Sequence, residues 1–104
     1  MKRRLVARAQ ANLDIVRQTV YLAERNPKAA ERFEPAVLAA FEQIEKHPLS
    51  GSVFDCPTTG DVQLRFRRPP GFKNHLIVYQ VTDDCIFVIR ILHGSQDFGT
   101  ALRP

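Results

Sequence analysis

The stretch from His75 to His93, H-L-I-V-Y-Q-V-T-D-D-C-I-F-V-I-R-I-L-H, constrains this chain more than any other. Two runs rich in β-branched and aromatic residues flank Asp83-Asp84, whose short side chains can bond their own backbone and tolerate positive φ. The pattern predicts an antiparallel hairpin. With Asp83 and Asp84 in the turn, Tyr79 falls opposite Val88 and Ile77 opposite Arg90. Alternation then gives one face Leu76, Val78, Phe87, Ile89 and Ile91, interrupted only by Gln80. The other face carries His75, Ile77, Tyr79, Val81, Ile86, Val88, Arg90 and Leu92. The first is assigned to the core. The second is apolar with polar heads set into it, which suits a surface covered by a partner. Arg90, in mid-strand, is either the least ordinary residue of the run or an edge arginine laying its stem along apolar surface.

Upstream of the hairpin the chain reads as a strand and two helices. Residues 2–8 alternate, with Leu5 and Ala7 on one side and Arg4 and Arg8 on the other. Asn12 is a candidate N-cap for a first helix, and Asp14 would lie in its first turn. Leu13, Val16, Val20 and Ala23 repeat at helical spacing and predict its buried stripe. Asn26-Pro27 then gives a cap followed by proline at the first helical position. The second helix runs to about Lys46, with Ala30, Phe33, Val37, Phe41 and Ile44 on one face. The short break between the helices calls for an antiparallel pair. Glu31, Glu34, Glu42 and Glu45 lie off the apolar face and read as a solvated surface.

His47-Pro48 ends that helix, and residues 47–61, rich in Pro, Gly, Ser, Thr and Asp, read as a loop. Residues 62–68, V-Q-L-R-F-R-R, alternate as a strand, with Leu64 and Phe66 inward and Gln63, Arg65 and Arg67 outward. Pro69-Pro70-Gly71 breaks it. The tail after His93-Gly94 shows no periodicity. The fold class expected is α+β: an N-terminal strand, then an antiparallel helix hairpin packed on one face of a sheet completed by a three-stranded antiparallel meander. The open face would gather Arg65, Arg67, His75, Tyr79 and Arg90, the candidate functional constellation.

At 104 residues the chain is expected to form one domain over residues 1–104, with 44% hydrophobic and 25% charged residues as in ordinary globular proteins. No apolar run approaches the length of a membrane span, and no apolar core follows the basic N-terminus as an export signal would require. Cys56 and Cys85 are too few and too far apart for a disulfide framework or a zinc site, so a cytoplasmic setting without metal or cofactor is expected. The net charge of +4 is unevenly placed. Residues 1–9 hold Lys2, Arg3, Arg4 and Arg8 without an acid, and residues 65–73 hold Arg65, Arg67, Arg68 and Lys73 without an acid. Two basic patches suit an acidic partner, protein or nucleic acid. The first also suits an edge strand defended by charge.

Taken in order, A-E-R-N-P-K-A-A-E-R-F, P-L-S-G, the L-R of the next strand and L-I-V-Y-Q-V-T-D-D-C-I-F-V-I-R-I-L-H-G-S-Q-D resemble the RelE/ParE superfamily of type II toxins. The ending R-I-L-H-G-S-Q-D resembles ParE more closely, and the likeness runs from about Ala9 to Asp97. It implies a toxin neutralised by a cognate antitoxin in a hetero-oligomer. ParE-like members poison DNA gyrase, whereas RelE-like members cut mRNA in the ribosome. Attack by a 2′-hydroxyl needs a base, cations for the phosphate and an acid for the leaving oxygen. RelE-like toxins supply these from middle-strand lysines and arginines and commonly a C-terminal tyrosine or histidine. This chain has no lysine in residues 62–68 and no tyrosine after Tyr79. Arg65, Arg90 and His93 would be the nuclease set, and His93 also fits a structural strand-end role. The resemblance therefore favours a gyrase poison, with Arg65, Arg67, His75, Ile77, Tyr79, Val88 and Arg90 as partner-binding residues. A ribosome-dependent nuclease is the alternative, and an inactive relative that binds only antitoxin and DNA is a third class.

Overall fold

A computed structural model describes residues 3–54, 62–94, 96 and 98–102. The order is β1 (Arg4–Ala7), α1 (Ala9–Ala23), α2 (Pro27–Lys46), a 3-10 turn (Pro48–Ser50), β2 (Ser52–Phe54), β3 (Leu64–Arg67), β4 (His75–Val81), β5 (Cys85–His93) and α3 (Phe98–Ala101). Among the described residues the strands form one mixed sheet in the order β1-β5-β4-β3-β2. β2 to β5 are antiparallel neighbours, while β1 runs parallel to β5, with Leu5 beside Ile86 and Ala7 beside Val88. The α+β architecture read from the sequence is the one observed: two helices on one face of a sheet that starts with the N-terminal strand.

The hairpin forms where Asp83 and Asp84 predict it. Thr82 closes the turn, its backbone N–H and hydroxyl both bonded to Cys85. Tyr79 does pair with Val88, but Ile77 pairs with Ile91 and Val78 with Arg90. One extra residue on β5, Ile89, is accommodated at a register shift beside Val78 and Tyr79. This bulge moves every later side chain of β5 to the other face. Ile91 thereby joins the helix side and Leu92 leaves it.

The expected core face and open face are exchanged. The helices lie on Ile77, Tyr79, Ile86 and Val88, packing Ala11, Ile15, Phe33, Val37, Phe41 and Ile44 against them. Leu76 and Val78 instead join Leu64, Leu92 and Leu102 in a second cluster on the far face, where Phe54, Phe66, Ile89 and Phe98 cover it. Both faces of β4 are apolar because both are buried, so alternation located the faces without saying which one the helices take.

α2 follows its sequence closely. Asn26 accepts a hydrogen bond from the Ala29 N–H through Oδ1 at 3.2 Å, Pro27 opens the helix, and Ala30, Phe33, Val37, Phe41 and Ile44 are buried. α1 departs from it. The helix starts at Ala9, three residues before Asn12, with Arg8 as an N-cap that makes no side-chain cap bond. Its buried positions are Ala11, Asp14 and Ile15, and Leu13, Val16 and Val20 are 40%, 59% and 55% exposed. The supposed loop 47–61 contains the 3-10 turn and edge strand β2, while its residues 55–61 lie outside the described part. The aperiodic tail contains the short helix α3.

Candidate functional site

Arg65 and Arg67 alternate with Leu64 and Phe66 along β3, and pairing with Tyr79 and Ile77 puts them on the helix side of the sheet. There the turn after α2 folds over them. Arg65 Nη1 donates to the carbonyls of Leu49 at 3.2 Å and Gly51 at 2.9 Å. Arg67 Nη1 donates to Ser50 Oγ at 3.0 Å, and the Tyr79 hydroxyl donates to Pro48 O at 3.0 Å. Gly51 is required by this close approach, since a Cβ there would overlap the Tyr79 hydroxyl. Burial pushes the Tyr79 phenol up, against opposing effects of a Gly51 backbone hydrogen bond and the Arg65 and Arg67 charges. A buried neutral phenol serves the fold better than it serves as a proton donor.

His75 is 4% exposed, and neither ring nitrogen has a hydrogen-bond partner. Its ring sits among Phe33, Phe72 and His93, with centroids 4.8, 5.7 and 4.9 Å away. Burial, and then the neighbouring His93, lower its pKa from 6.5 to about 4. It packs as a neutral aromatic ring. His93 caps this cluster at the end of β5, its N–H donating to Gln96 Oε1 at 2.7 Å and its ring 6.3 Å from that of Tyr21.

Arg90 lies in a third place. Its Nε donates to Asp14 Oδ2 at 2.7 Å and its Nη2 to Asp14 Oδ1 at 3.0 Å, a two-pronged pair whose side chains are only 17% and 5% exposed. Its Nη1 donates to Ala101 O at 2.8 Å, tying α3 to β5. Asp14 Oδ2 also accepts the Ile91 N–H at 2.9 Å, because β1 stops pairing at Val88 and leaves the rest of that edge of β5 open. The carboxylate thus occupies a core position on α1 by satisfying a strand edge and a guanidinium together.

The single constellation expected on an open face is therefore divided. The structure joins Arg65, Arg67 and Tyr79 around the 48–51 turn, puts His75 with His93, and commits Arg90 to Asp14. Ile77, Tyr79 and Val88 are fully buried and His75 nearly so, which removes them from any surface a partner could touch in this conformation. The reason is the exchange of faces together with the bulge. Arg65 and Arg90, the cationic part of the alternative nuclease set, bond separate neighbours and do not converge on a common point.

Two surface features escaped the sequence reading. One is the exposed stripe of Leu13, Val16 and Val20, continued by Tyr21 and accompanied by Arg17 and Arg25. The other is a cleft of about 440 Å³ lined by His47, Ser50, Ser52, Phe66, Arg67 and Arg68. The basic run at 65–68 signalled the second; nothing short of the Asp14 contacts signalled the first. Among the described residues no three His, Cys, Asp or Glu side chains gather as a metal site would need, and no helix is long and apolar enough to cross a membrane.

Residues 5–98 match the family model described as the ParE toxin of the type II toxin–antitoxin system parDE. A relative from Caulobacter vibrioides, Toxin RelE1, is 32% identical over 87 residues, 84% of this chain and 88% of that protein. The family match spans β1 from Leu5, the helix pair and the meander, the elements that carry the sites above. With a match across nearly its whole length, the chain belongs to the ParE toxin family of type II toxin–antitoxin systems, within the RelE/ParE superfamily.

Proposed function

We propose that this toxin acts by binding and poisoning DNA gyrase in the cytoplasm, without chemistry of its own, and that a cognate antitoxin neutralises it in a hetero-oligomer. The observation that carries the choice is the commitment of the arginines. Arg65 is bonded to the carbonyls of Leu49 and Gly51, and Arg90 to Asp14 and Ala101. An acid–base pair around a scissile phosphate needs groups that converge on it, and these do not. Arg67 keeps a partly exposed guanidinium and is the residue of the expected partner-binding set best placed to touch a target.

The antitoxin's contact surface, in this reading, is the α1 stripe of Leu13, Val16 and Val20. Exposed apolar positions at i, i+3 and i+7 suit an amphipathic segment laid along the helix, and Arg17 and Arg25 beside them suit acidic residues on it. The relative's name, Toxin RelE1, keeps the ribosome-dependent nuclease as the second reading. One paired experiment separates them: gyrase-dependent supercoiling and primer extension on a ribosome-bound message, each with the purified toxin. Inhibited supercoiling with DNA breaks trapped on gyrase, and a message left intact, is the expected result. Codon-dependent cuts in the message would overturn it.

A further inference from the structure

We infer that Phe72 is a gate over His75, and that proton uptake by the imidazole swings it about Gly71 and admits water to the seam between α2 and the sheet. This goes beyond the gyrase reading and does not depend on it. His75 is the anomaly of the core. Among the described residues, the buried side-chain nitrogens and oxygens that lack a hydrogen-bond partner are its Nδ1 and Nε2. An imidazole buried with both nitrogens unanswered costs stability that a hydrocarbon ring of similar size would not. It pairs with His93 across the β4–β5 ladder, so the two rings meet at one end of the sheet.

Three rings enclose His75, and they are held differently. Phe33 is fully buried within α2. His93 is bound into the ladder as the last residue of β5, with its N–H on Gln96. Phe72 is half-buried and lies outside both β3 and β4. Beside it is Gly71, whose φ of 81° is the one positive value among the described residues. The Phe72 N–H donates to Pro69 O at 3.0 Å, and its carbonyl accepts the His75 N–H at 3.2 Å. Its ring is a wall of two open hollows. One, of about 470 Å³, is shared with Glu31, Arg32, Pro35 and Ala36 of α2; the other, of about 420 Å³, with Arg68 and Lys73. His75 lines neither. A swing of Phe72 into either hollow removes the ring that stands between the imidazole and water.

The charges around the seam tie this movement to acid. Burial, and then His93, hold the His75 pKa at about 4. Arg68 and Lys73 lie on the segment that carries Phe72, and Arg32 lines the hollow on the α2 side. Tyr21 of α1 lies behind His93, with the Arg25 guanidinium 3.7 Å from its ring. Glu31 is the one carboxylate among the residues that line the two hollows. An imidazolium in the closed site would meet rings and cations, so the proton is taken up where water reaches the ring. The closed gate goes with neutral His75, and the open gate with the charged form.

The test is NMR of the full-length toxin with 13C-labelled histidines, titrated from pH 7.5 to 5, with amide exchange corrected for the intrinsic effect of pH. In wild type His75 should stay largely neutral, while protection of the Phe72 and His75 amides falls about thirtyfold. That ratio is the one for a ring that titrates at about 4 when closed and 6.5 when open. Phe72→Ala should let His75 titrate within the range, toward 6.5. His75→Phe should keep the gate closed and abolish the pH dependence. Gly71→Ala carries the test should Phe72→Ala not fold. Its Cβ meets no atom within 4 Å and opposes only the positive φ, so protection at Phe72 should fall about fivefold or more at either pH. Three results would each overturn the inference: His75 still neutral at pH 5 in Phe72→Ala, wild-type pH dependence in His75→Phe, or Phe72 and His75 amides exchanging no faster than those in the middle of β4. The last is what unfolding of the whole sheet would give.

Discussion

α1 and α2 lie side by side on the same sheet, and they meet it on different terms. α2 seals it with Phe33, Val37, Phe41 and Ile44, large apolar groups at helical spacing. α1 touches it with Ala11, Asp14 and Ile15 and turns its valines outward. The difference begins at β1. Because α1 starts only two residues after a strand paired to β5, its first turns run along the part of β5 that β1 leaves unpaired. A small residue and a carboxylate serve that edge better than a valine would, since the open Ile91 N–H needs an acceptor. α2 answers to packing, and α1 to an unpaired backbone amide.

Four experiments would break or sharpen that contrast. The largest effect is expected from Phe33→Ala, which empties a site closed by Phe72 and His75 and should cost about 3–5 kcal/mol, read from the urea midpoint at unchanged slope. A loss below about 1 kcal/mol would mean that α2 does not seal the sheet. Next is Asp14→Ala, which strands the Arg90 guanidinium and the Ile91 N–H and should cost about 3 kcal/mol. Asp14→Asn keeps an acceptor for Ile91 and should cost less. Equal losses in the two variants would show that charge pairing, and not the strand edge, fixes α1.

Acid should loosen the α2 side next. The imidazole of His75 is held at about 4, below its ordinary 6.5, so unfolding takes up a proton between those values. Its contribution is complete above about pH 6.5 and falls as the pH drops toward 4. Between pH 7.5 and 5 the loss should be about 2 kcal/mol, and His75→Phe should flatten that dependence. The smallest stability effect belongs to the outward stripe: Val16→Ser and Val20→Ser should each stay within about 0.5 kcal/mol of wild type. The same changes should weaken the antitoxin complex by about tenfold or more, measured by calorimetry on the co-purified pair. Unchanged affinity would remove the stripe from the proposed interface.

The elements legible in the sequence were those with local causes. The Asp83-Asp84 turn, the Asn26-Pro27 start and the α2 stripe each need only a few neighbouring residues to specify them. What was illegible depended on distant partners. The bulge at Ile89 exists beside Arg90, whose carboxylate lies 76 residues away, and no alternation within β5 announces it. Asp14 read as a dipole-favouring residue of a helix thought to begin at Asn12; with the true start at Ala9 it faces inward. His75, Ile77, Tyr79 and Val88 were assigned to a partner because an apolar strand face carrying polar heads looks alike whether helices or another protein cover it. Arg65 and Arg67 share a face of β3, as strand alternation implies, while the turn that occupies Arg65 lies in a stretch whose composition reads as plain loop.

The parallel pairing of β1 with β5 has a consequence in time. Arg3 donates to the carbonyl of Thr82, 79 positions later, and Leu5 and Ala7 lie beside Ile86 and Val88. At about 5–20 residues per second of synthesis, β1 waits roughly 4–16 s for the strand that receives it. Until then α1 has no β5 edge to cap, and Asp14 no arginine to hold. The helix pair can form early, but contacts of such high order must close last. A ribosome making this chain therefore carries β1 and the helix pair without the strand that joins them, and the sheet can close only once β5 has been delivered.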